Sequence, residues 1–317
     1  MILVLTHSAD FYNVDIFFNY LQQKGISYFR LNTDHIGDSQ QIAQFSDGSF
    51  SLTDENGNSV HSSSFTGVWH RKTWSVKIPD DLDADFADLF SNEYGYLRNN
   101  LYAGIAHLPW INPLEADYFI QRNKLYQLRA AKEAGLQVPE TLFTNNAPEI
   151  KKFLKKTGAE NAVAKLHGPN GQSMSGEALT ETLLISAEKD HDFDGIIYCP
   201  MIIQPYIEKE YELRIACVDG KCFAGKIKNQ ENTDWRTMQG NIWESYEVPQ
   251  KIAAKIKVLM NRFGLVTGAL DFIKGTDGNY WFLEVNPQGE WGMLQKELNY
   301  PIAEAIADAL IKKINKK

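Results

Sequence analysis

The chain has 317 residues, of which 44% are hydrophobic, and its formal net charge is −8 at pH 7. At roughly 100 to 200 residues per domain, this length predicts two or three globular domains with substantial cores. The acidic balance argues against a nucleic-acid partner, because a surface that binds phosphate backbones needs clustered Lys and Arg.

The opening residues form a short apolar run without a basic leader or a small-residue cleavage site. No uninterrupted apolar stretch approaches the roughly 18 residues of a membrane-spanning helix. We therefore expect a cytoplasmic protein without a membrane partner. The three cysteines form no CxxC pair. This argues against a zinc cluster or a disulfide framework and predicts reduced thiols in the core.

An N-terminal domain is predicted for residues 1–115, beginning with a βαβ unit. Apolar periodicity predicts a strand at Ile2–Thr6, a helix at Phe11–Gln23 and a strand at Ser27–Leu31. No GxGxxG follows the first strand, so a dinucleotide-binding fold is not indicated. Further patterns predict a hairpin at Asn56-Gly57, a strand at Gly67–Arg71 and a long helix at Asp83–His107.

A central domain over residues 116–195 and a C-terminal domain over residues 196–317 are predicted to follow. A helix from about Asp117 to Ala134 stops at Gly135. From Ala162 onward, short β-rich runs alternate with glycine-containing turns, and an amphipathic helix covers Ile302–Ile314. These patterns predict an α/β (α+β) protein in three parts, with a mixed sheet in the last part.

The most informative stretch runs from Ala269 to Pro287. Asp277-Gly278 is a strong signal for a two-residue hairpin turn. With those residues in the turn, Asp271 lies directly opposite Glu284, and Asn286 lies on the same face. Directly opposed side chains have Cβ atoms roughly 4.5 to 5.5 Å apart, so two carboxylates among apolar neighbours repel each other.

A hard cation relieves that repulsion. Two carboxylates and an amide oxygen suit Mg²⁺, which also accepts water and phosphate oxygens. The sequence therefore predicts a Mg²⁺ site at Asp271, Glu284 and Asn286. A solvent-facing hairpin with scattered acids is the plain structural alternative. A paired-carboxylate glycosidase fits less well, because close opposition and the adjoining amide favour metal coordination.

Two lysines and one strand end are candidates for a nucleotide site. Lys165 interrupts a β-like run, where an unpaired inward ammonium is costly and a bound phosphate would neutralise it. Lys124 lies near the start of the predicted helix, where a lysine is more often solvated. The run Met201–Glu208 leads from a buried-looking strand into a polar segment. Such a strand end can offer backbone groups to adenine, although it is more often ordinary core.

This ordered set of residues resembles the ATP-grasp superfamily over about half of the chain: Lys124, Lys165, Gln204–Glu208, Asp271 and Glu284–Pro287. The resemblance implies a three-part ATP-grasp fold with ATP and Mg²⁺ as cofactors. It implies that Lys124 and Lys165 contact ATP phosphates or adenine. It also implies that the segment from Gln204 binds the nucleoside, with Tyr206 and Ile207 along the adenine and Glu208 facing the ribose.

A narrower resemblance spans nearly the whole chain and is carried by Val68–Arg71, Gly135–Asn145, Asn286–Trp291 and Tyr300–Asp308. These segments look like the microviridin-type graspetide ligases, which cross-link side chains of ribosomally made precursor peptides. The partner implied is a peptide with a leader and a core rich in Thr/Ser and Asp/Glu. Gln288 and Glu290 depart from the Asn and Gln of some relatives, which leaves ester versus amide formation open.

The resemblance implies that a peptide Asp or Glu attacks the γ-phosphate of ATP and that a Thr or Ser hydroxyl then displaces phosphate, closing an ω-ester. Catalysis would rest on orientation and on cations that neutralise developing charge. Arg214 and Arg236 are predicted to hold the substrate carboxylate or acyl phosphate, because a planar guanidinium fits both groups. Surface ion pairs are the structural alternative for both. Arg71, His70 and His167 are weaker candidates, for which structural roles are expected.

An acidic run, Glu188–Gly195, precedes the strand that leads to the adenine segment. On composition it is a solvated loop. The resemblance raises a second interpretation, in which Asp190, Asp192 and Asp194 form an acidic rim that pairs with a basic residue of a helical leader.

Two rival functions remain open at this point. An ATP-grasp ligase that joins an amine to a carboxylate would share the activating half-reaction and form an amide. A nucleotide-dependent peptide-binding module with little turnover is the second rival, and the intact set of lysines and metal-ligand candidates argues against it. The sequence also leaves open whether the protein is a monomer or a homodimer.

Overall fold

The computed structural model describes residues 1–168, 182–186, 193–227 and 243–316. Within these ranges the strands are β1 Ile2–Thr6, β2 Tyr28–Asn32, β3 Gln41–Gln44, β4 Phe50–Thr53, β5 Ser59–His61, β6 Gly67–His70, β7 Trp110–Ile111, β8 Leu142–Thr144, β9 Asn161–Lys165, β10 Leu183–Ser186, β11 Met201–Pro205, β12 Lys209–Val218, β13 Lys221–Ile227, β14 Glu244–Tyr246, β15 Thr267–Gly275 and β16 Tyr280–Asn286. The α-helices are α1 Tyr12–Gln23, α2 Ala87–Ile105, α3 Leu114–Gln121, α4 Lys124–Glu133, α5 Ala147–Thr157, α6 Gln250–Phe263, α7 Gly292–Leu298 and α8 Ile302–Ile314.

The N-terminal part is built on a four-stranded parallel sheet in the order β2-β1-β6-β7. β1 is buried along its whole length because it has a neighbour on each side and helices over both faces. The predicted βαβ opening is confirmed, with α1 as the crossover between the parallel strands β1 and β2. The predicted hairpin at Asn56-Gly57 is also confirmed, between β4 and β5 of a small antiparallel sheet.

The helix predicted from Asp117 to Ala134 is two helices, so that prediction is corrected. α3 ends at Gln121, and Asn123 begins α4 by accepting a hydrogen bond on its side chain from the backbone N–H of Tyr126, at 3.3 Å. Such an Asn cap satisfies a donor that the first helical turn leaves unpaired. As a consequence, Lys124 is the first residue of a helix rather than a residue inside one.

The central part is a four-stranded antiparallel sheet in the order β10-β9-β11-β8, with α5 packed against it. The apolar side chains of β9 and β11 fill this small core, and Lys165 is the last residue of β9. In the register, Lys165 lies beside Ile202, two residues before Gln204. The side chains of Lys165 and Gln204 can therefore meet at the same end of the sheet.

The C-terminal part is a five-stranded sheet in the order β14-β13-β12-β15-β16. All of its strand pairs are antiparallel, and a single parallel bridge from Gln137 to Trp281 adds a mixed edge beside β16.

The expectation that all cysteines are core thiols needs a correction here. Cys217 in β12 is buried, but Cys222 in β13 is only partly buried and Cys199 is exposed.

One core joins the first and last parts of the chain. Ile302, Ile306 and Leu310 of α8 pack with Phe17 of α1 and with Val218 of β12. This packing brings the carboxyl ends of β1 and β6 to the loop that follows β16. No helix in the described residues is long and apolar enough to cross a membrane.

Candidate active site at the β15–β16 hairpin

The hairpin β15–β16 has a different tip from the predicted one. The N–H of Gly275 donates to the carbonyl of Asn279 at 3.0 Å, and Gly278 has a φ of 79°. The turn therefore contains three residues, with glycine in the left-handed position, instead of the two-residue turn Asp277-Gly278. The register shifts again between Asp271 and Phe272, because Leu283 is an extra residue in β16.

These two irregularities cancel before the candidate metal ligands. Asp271 pairs directly with Glu284, and Ala269 pairs with Asn286, as the sequence predicts. The side-chain amide of Asn286 donates to Oε1 of Glu284 at 3.0 Å, so the amide and the carboxylate share a face. The predicted juxtaposition of Asp271, Glu284 and Asn286 is therefore present.

Each of the two opposed carboxylates also has a cationic partner. Nη1 of Arg214 lies 2.8 Å and 2.7 Å from the two carboxylate oxygens of Asp271, its neighbour across the β12–β15 ladder. Nζ of Lys124 lies 2.8 Å from Oε2 of Glu284. The start of α4 and the middle of β12 thus supply the positive charge that keeps two facing carboxylates stable in one place.

The donor set at the hairpin fits Mg²⁺. Two carboxylates and an amide oxygen are hard ligands, and Mg²⁺ is usually held by one or two carboxylates together with substrate phosphates. Among the described residues, no group of three or more His, Cys, Asp and Glu side chains is placed to hold a metal ion. Three hairpin ligands would leave positions around an octahedral Mg²⁺ for water and phosphate oxygens.

Lys165 meets Gln204 at the end of the central sheet. Its Nζ donates to Oε1 of Gln204 at 3.2 Å, and the amide nitrogen of Gln204 donates to the hydroxyl of Thr141 at 3.0 Å. Two residues later, burial lowers the pKa of His167, and the charge of Lys124 lowers that pKa further. This coupling connects the end of β9 electrostatically to the lysine that contacts the β15–β16 hairpin.

The segment after β11 joins the central sheet to the same hairpin. The N–H of Tyr206 donates to the carbonyl of Asn161 at 2.9 Å, and the N–H of Thr276 donates to the carbonyl of Glu208 at 3.0 Å. Burial raises the pKa of Tyr206, and the carboxylates of Glu208 and Glu212 raise it further. Ile207 lies between these residues, so the four predicted nucleoside residues Gln204, Tyr206, Ile207 and Glu208 form one continuous bridge.

Glu290 is a residue of this site to which the sequence assigned no contact. Its carbonyl accepts hydrogen bonds from Nε and Nη2 of Arg214 at 3.1 Å and 3.0 Å. Its carboxylate accepts from Arg71 at 2.8 Å, Lys72 at 3.0 Å and Asn13 at 2.7 Å. Burial alone would raise the pKa of Glu290, but Arg71 and Lys72 outweigh it and lower the pKa to about 2.

Arg71 and His70 have the structural partners expected of them. Arg71 is buried between Asp10, at 3.3 Å, and Glu290. Nδ1 of His70 lies 3.6 Å from Asp117 and 3.1 Å from the amide nitrogen of Gln288. These contacts join the end of β6 to the loop after β16. The sequence singled out Glu290 only as a departure from some relatives and did not predict these contacts.

The catalytic arginine pair and the acidic rim comprise five predicted residues, of which the structure describes two. Arg214 lies in the site described above. Arg236, Asp190 and Asp192 lie outside the described residues. Asp194 begins a short 3-10 helix, Asp194–Ile197, before β11.

Two family models match consecutive parts of the chain. The model described as the MvdD pre-ATP grasp domain matches residues 1–118. The model described as the RimK-like ATP-grasp domain matches residues 121–310, which is more than half of the chain. No curated protein matches the chain.

Solved structures match over nearly the full length. The macrocyclase MdnB of Microcystis aeruginosa MRC is 32% identical, with a TM-score of 0.84 and coverage of 98% of each chain. MdnC of the same organism, solved with the precursor peptide MdnA, is 28% identical, with a TM-score of 0.86 and coverage of 98% of this chain and 99% of that one. A RiPP-associated ATP-grasp ligase of Chryseobacterium gregarium, solved with ADP and a leader and core peptide, is 28% identical, with a TM-score of 0.87 and coverage of 98% and 96%.

Proposed function

The chain belongs to the RiPP-associated ATP-grasp macrocyclases, the graspetide ligases, which join an MvdD pre-ATP-grasp domain to a RimK-like ATP-grasp domain, and we propose that it closes ω-ester rings in a ribosomally made precursor peptide. Membership makes it an ATP-dependent ligase that acts on peptides. The ester bond, the Thr/Ser and Asp/Glu residues that form it, and the site residues are parts of the proposal. We also propose that the chain has three domains, residues 1–115, 116–195 and 196–317, and that the protein is located in the cytoplasm.

The observation that carries the proposal is the paired-cation arrangement at the hairpin. Asp271 and Glu284 face each other, and Arg214 and Lys124 reach them from two different elements. A single-purpose structural ion pair needs one cation and one carboxylate. Two opposed carboxylates with two cations and an adjoining amide suit a site that handles a metal–triphosphate complex.

On the nucleotide side, we assign Lys124 and Lys165 to the ATP phosphates. Lys124 is the first residue of α4 and contacts Glu284, and Lys165 is the last residue of β9; a point charge at each place suits a phosphate. The bridge from Gln204 to Glu208 would bind the nucleoside, with Tyr206 and Ile207 against the adenine and Glu208 at the ribose. Mg²⁺ held by Asp271, Glu284 and Asn286 would neutralise and orient the triphosphate.

On the peptide side, we assign Arg214 to the reacting carboxylate. Its guanidinium already lies 2.7 Å from one carboxylate, that of Asp271, and it is buried, which strengthens its interaction with developing negative charge. An Asp or Glu of the peptide would attack the γ-phosphate, and a Thr or Ser hydroxyl would then displace phosphate from the acyl phosphate. We propose the same role for Arg236.

The proposed partner is a precursor peptide with a leader and a Thr/Ser and Asp/Glu-rich core. The similar MdnC was solved with a precursor peptide, and the Chryseobacterium gregarium ligase with both leader and core. Asp190, Asp192 and Asp194 are proposed to contact the leader. A homodimer would be compatible with this assignment and is not required by it.

The test combines the protein with ATP, Mg²⁺ and the precursor peptide encoded beside its gene. We expect the peptide to lose one water per ring and an equal amount of ADP to be released. Hydroxylamine should then reopen the rings, because it cleaves esters and leaves amides intact. Water loss that resists hydroxylamine would identify an amide ligase instead, and peptide binding without ADP release would identify a binding module.

A further inference from the structure

We propose that Cys217 and Cys222 form a dithiol site that a low-molecular-weight disulfide oxidises to an intramolecular disulfide. The site lies beside the β12–β13 turn and contains none of the residues assigned to ATP and peptide. Neither the ligase reaction nor the assigned site residues use these thiols. Oxidation of this thiol pair is therefore independent of which bond the enzyme forms in its peptide.

The turn fixes which pair of residues faces each other. Asp219 and Gly220 have φ values of 45° and 84°, the pattern of a type I′ two-residue turn. Val218 pairs with Lys221 beside the turn, and Cys217 pairs with Cys222 next. Because hydrogen-bonded and non-hydrogen-bonded pairs alternate, the cysteine pair is the non-hydrogen-bonded one, with Cα atoms about 4.5 Å apart. Disulfides span roughly 4.4 to 6.8 Å between Cα atoms.

The two sulfur atoms are already close. The Sγ atoms lie 2.7 Å apart, and one thiol donates to the other. This separation is about 0.7 Å longer than the roughly 2.05 Å of a disulfide bond. Closing the bond thus needs a side-chain adjustment and no movement of either strand.

The two thiols differ in a way that suits stepwise exchange. Cys217 is buried, whereas Cys222 is partly exposed and lines a surface cavity of about 360 Å³ with Ser245, Tyr246 and Tyr300. The hydrogen bond from Cys217 lowers the pKa of Cys222, and the same bond together with burial raises the pKa of Cys217. Cys222 is therefore the accessible thiol that becomes the thiolate first.

The proposed exchange has two balanced steps. The Cys222 thiolate attacks one sulfur of the small disulfide, forms a mixed disulfide and releases one small thiolate. Cys217 then loses its proton, attacks Sγ of Cys222 and releases the second small thiolate. Two protein thiols are oxidised, and one small disulfide is reduced to two thiols. The product links β12 to β13 three residues beyond Arg214.

The experiment uses the full chain and oxidised glutathione as the probe. After incubation, the protein is quenched in acid, unfolded, alkylated and digested with trypsin, which cuts after Arg214, Lys221 and Lys226. Cys217 and Cys222 then lie in separate peptides, residues 215–221 and 222–226. We expect these peptides to be linked, with a mass two hydrogens below their sum. Alkylation should fall from three cysteines to one, and dithiothreitol should restore it.

Variants distinguish this site from other thiol chemistry. Cys199→Ser should still give the linked peptides, which excludes an exchange through the exposed thiol. Cys217→Ala should instead accumulate glutathione on Cys222, because the resolving thiol is gone. In the wild-type chain, full alkylation of both Cys217 and Cys222, or glutathione that stays on Cys222, would overturn the proposal.

Discussion

Arg214 contacts both oxygens of Asp271 through a single terminal nitrogen, at 2.8 Å and 2.7 Å. Its other two nitrogens donate to the carbonyl of Glu290 at 3.1 Å and 3.0 Å. The guanidinium therefore joins a candidate metal ligand on β15 to the loop after β16. A lysine at this position lacks the planar fork that reaches the two partners from separate nitrogens.

We predict that Arg214→Lys reduces peptide turnover more than it reduces ATP affinity. The substitution keeps the charge but loses the planar fork that orients Asp271 and a substrate carboxylate. Turnover is measured from the water loss of the precursor, and ATP affinity is measured by calorimetry. The matched control is Arg262→Lys, an exposed arginine on α6. Arg236→Lys is expected to behave in the same way. Near-normal turnover in both variants would return these arginines to structural roles.

We predict that Asp271→Ala and Glu284→Ala each abolish ATP-dependent loss of water from the precursor. Each change removes one of the two carboxylates and leaves Arg214 or Lys124 without its acidic partner at the hairpin. Mass spectrometry of the peptide measures the outcome, and circular dichroism checks that the fold survives. Asp277→Asn, at the tip of the same hairpin, should keep its turnover. Wild-type product levels in either alanine variant would contradict the metal assignment.

We predict that Lys124→Ala and Lys165→Ala weaken ATP binding. Each loses a charge-assisted contact worth about 1.5 to 3 kcal/mol, or roughly 10- to 150-fold in affinity. Calorimetry with ATP and Mg²⁺ measures the effect, and precursor binding should change less. Lys132→Ala, exposed on the last turn of α4, is the control. Unchanged ATP affinity in both site variants would remove these lysines from the nucleotide site.

We predict an acid-sensitive contribution to stability from Glu290. Its folded pKa of about 2 is below the ordinary 4.5, so the contribution is complete above pH 4.5 and is lost as the pH falls toward 2. With partial solvent screening, we expect about 2 to 3 kcal/mol. The free energy of unfolding, measured with a chemical denaturant between pH 2 and 6, should change less with pH for Glu290→Gln than for wild type. Parallel profiles for the two proteins would exclude this ion-pair contribution.

We predict that neutralising Asp190, Asp192 and Asp194 together weakens leader binding and leader-stimulated turnover. Exposed ion pairs contribute only about 0 to 1 kcal/mol each, so the triple variant is needed. Fluorescence anisotropy with a labelled leader measures affinity at low and moderate salt, while ATP affinity should stay nearly constant. The matched control neutralises Asp80, Asp81 and Asp83, which are exposed in the N-terminal part. Equal leader affinity in wild type and triple variant would make the acidic run an ordinary loop.

Strong periodicity made some elements predictable to the residue. The bounds of β1 and α8 agree with the sequence prediction, because β1 is an unbroken apolar run and α8 has regular amphipathic spacing. The break between α3 and α4 was missed because both halves keep helical spacing, and only the cap at Asn123 marks the boundary. A helix cap marks a boundary through a single residue, and apolar spacing that continues across that residue gives no indication of the boundary.

The contacts of the candidate site also include some that the sequence predicts and some that it does not. The pairing of Asp271 with Glu284 was predicted from a two-residue turn that the structure does not have, and it is present because the extra residue Leu283 compensates for the longer turn. The contact between Arg71 and Glu290 joins residues 219 positions apart. No local pattern encodes such a contact, since it depends on how α8 packs the N-terminal sheet against the C-terminal one.

The two irregularities of the β15–β16 hairpin also limit how its length can change. Side chains alternate with a period of two, so a one-residue slip moves every following side chain to the opposite face. If the tip closed as the two-residue turn Asp277-Gly278 while Leu283 stayed an extra residue, Asp271 would pair with Val285 and Glu284 would turn away from it. A redesigned tip must therefore keep Gly275 paired with Asn279 for as long as Leu283 remains an extra residue in β16.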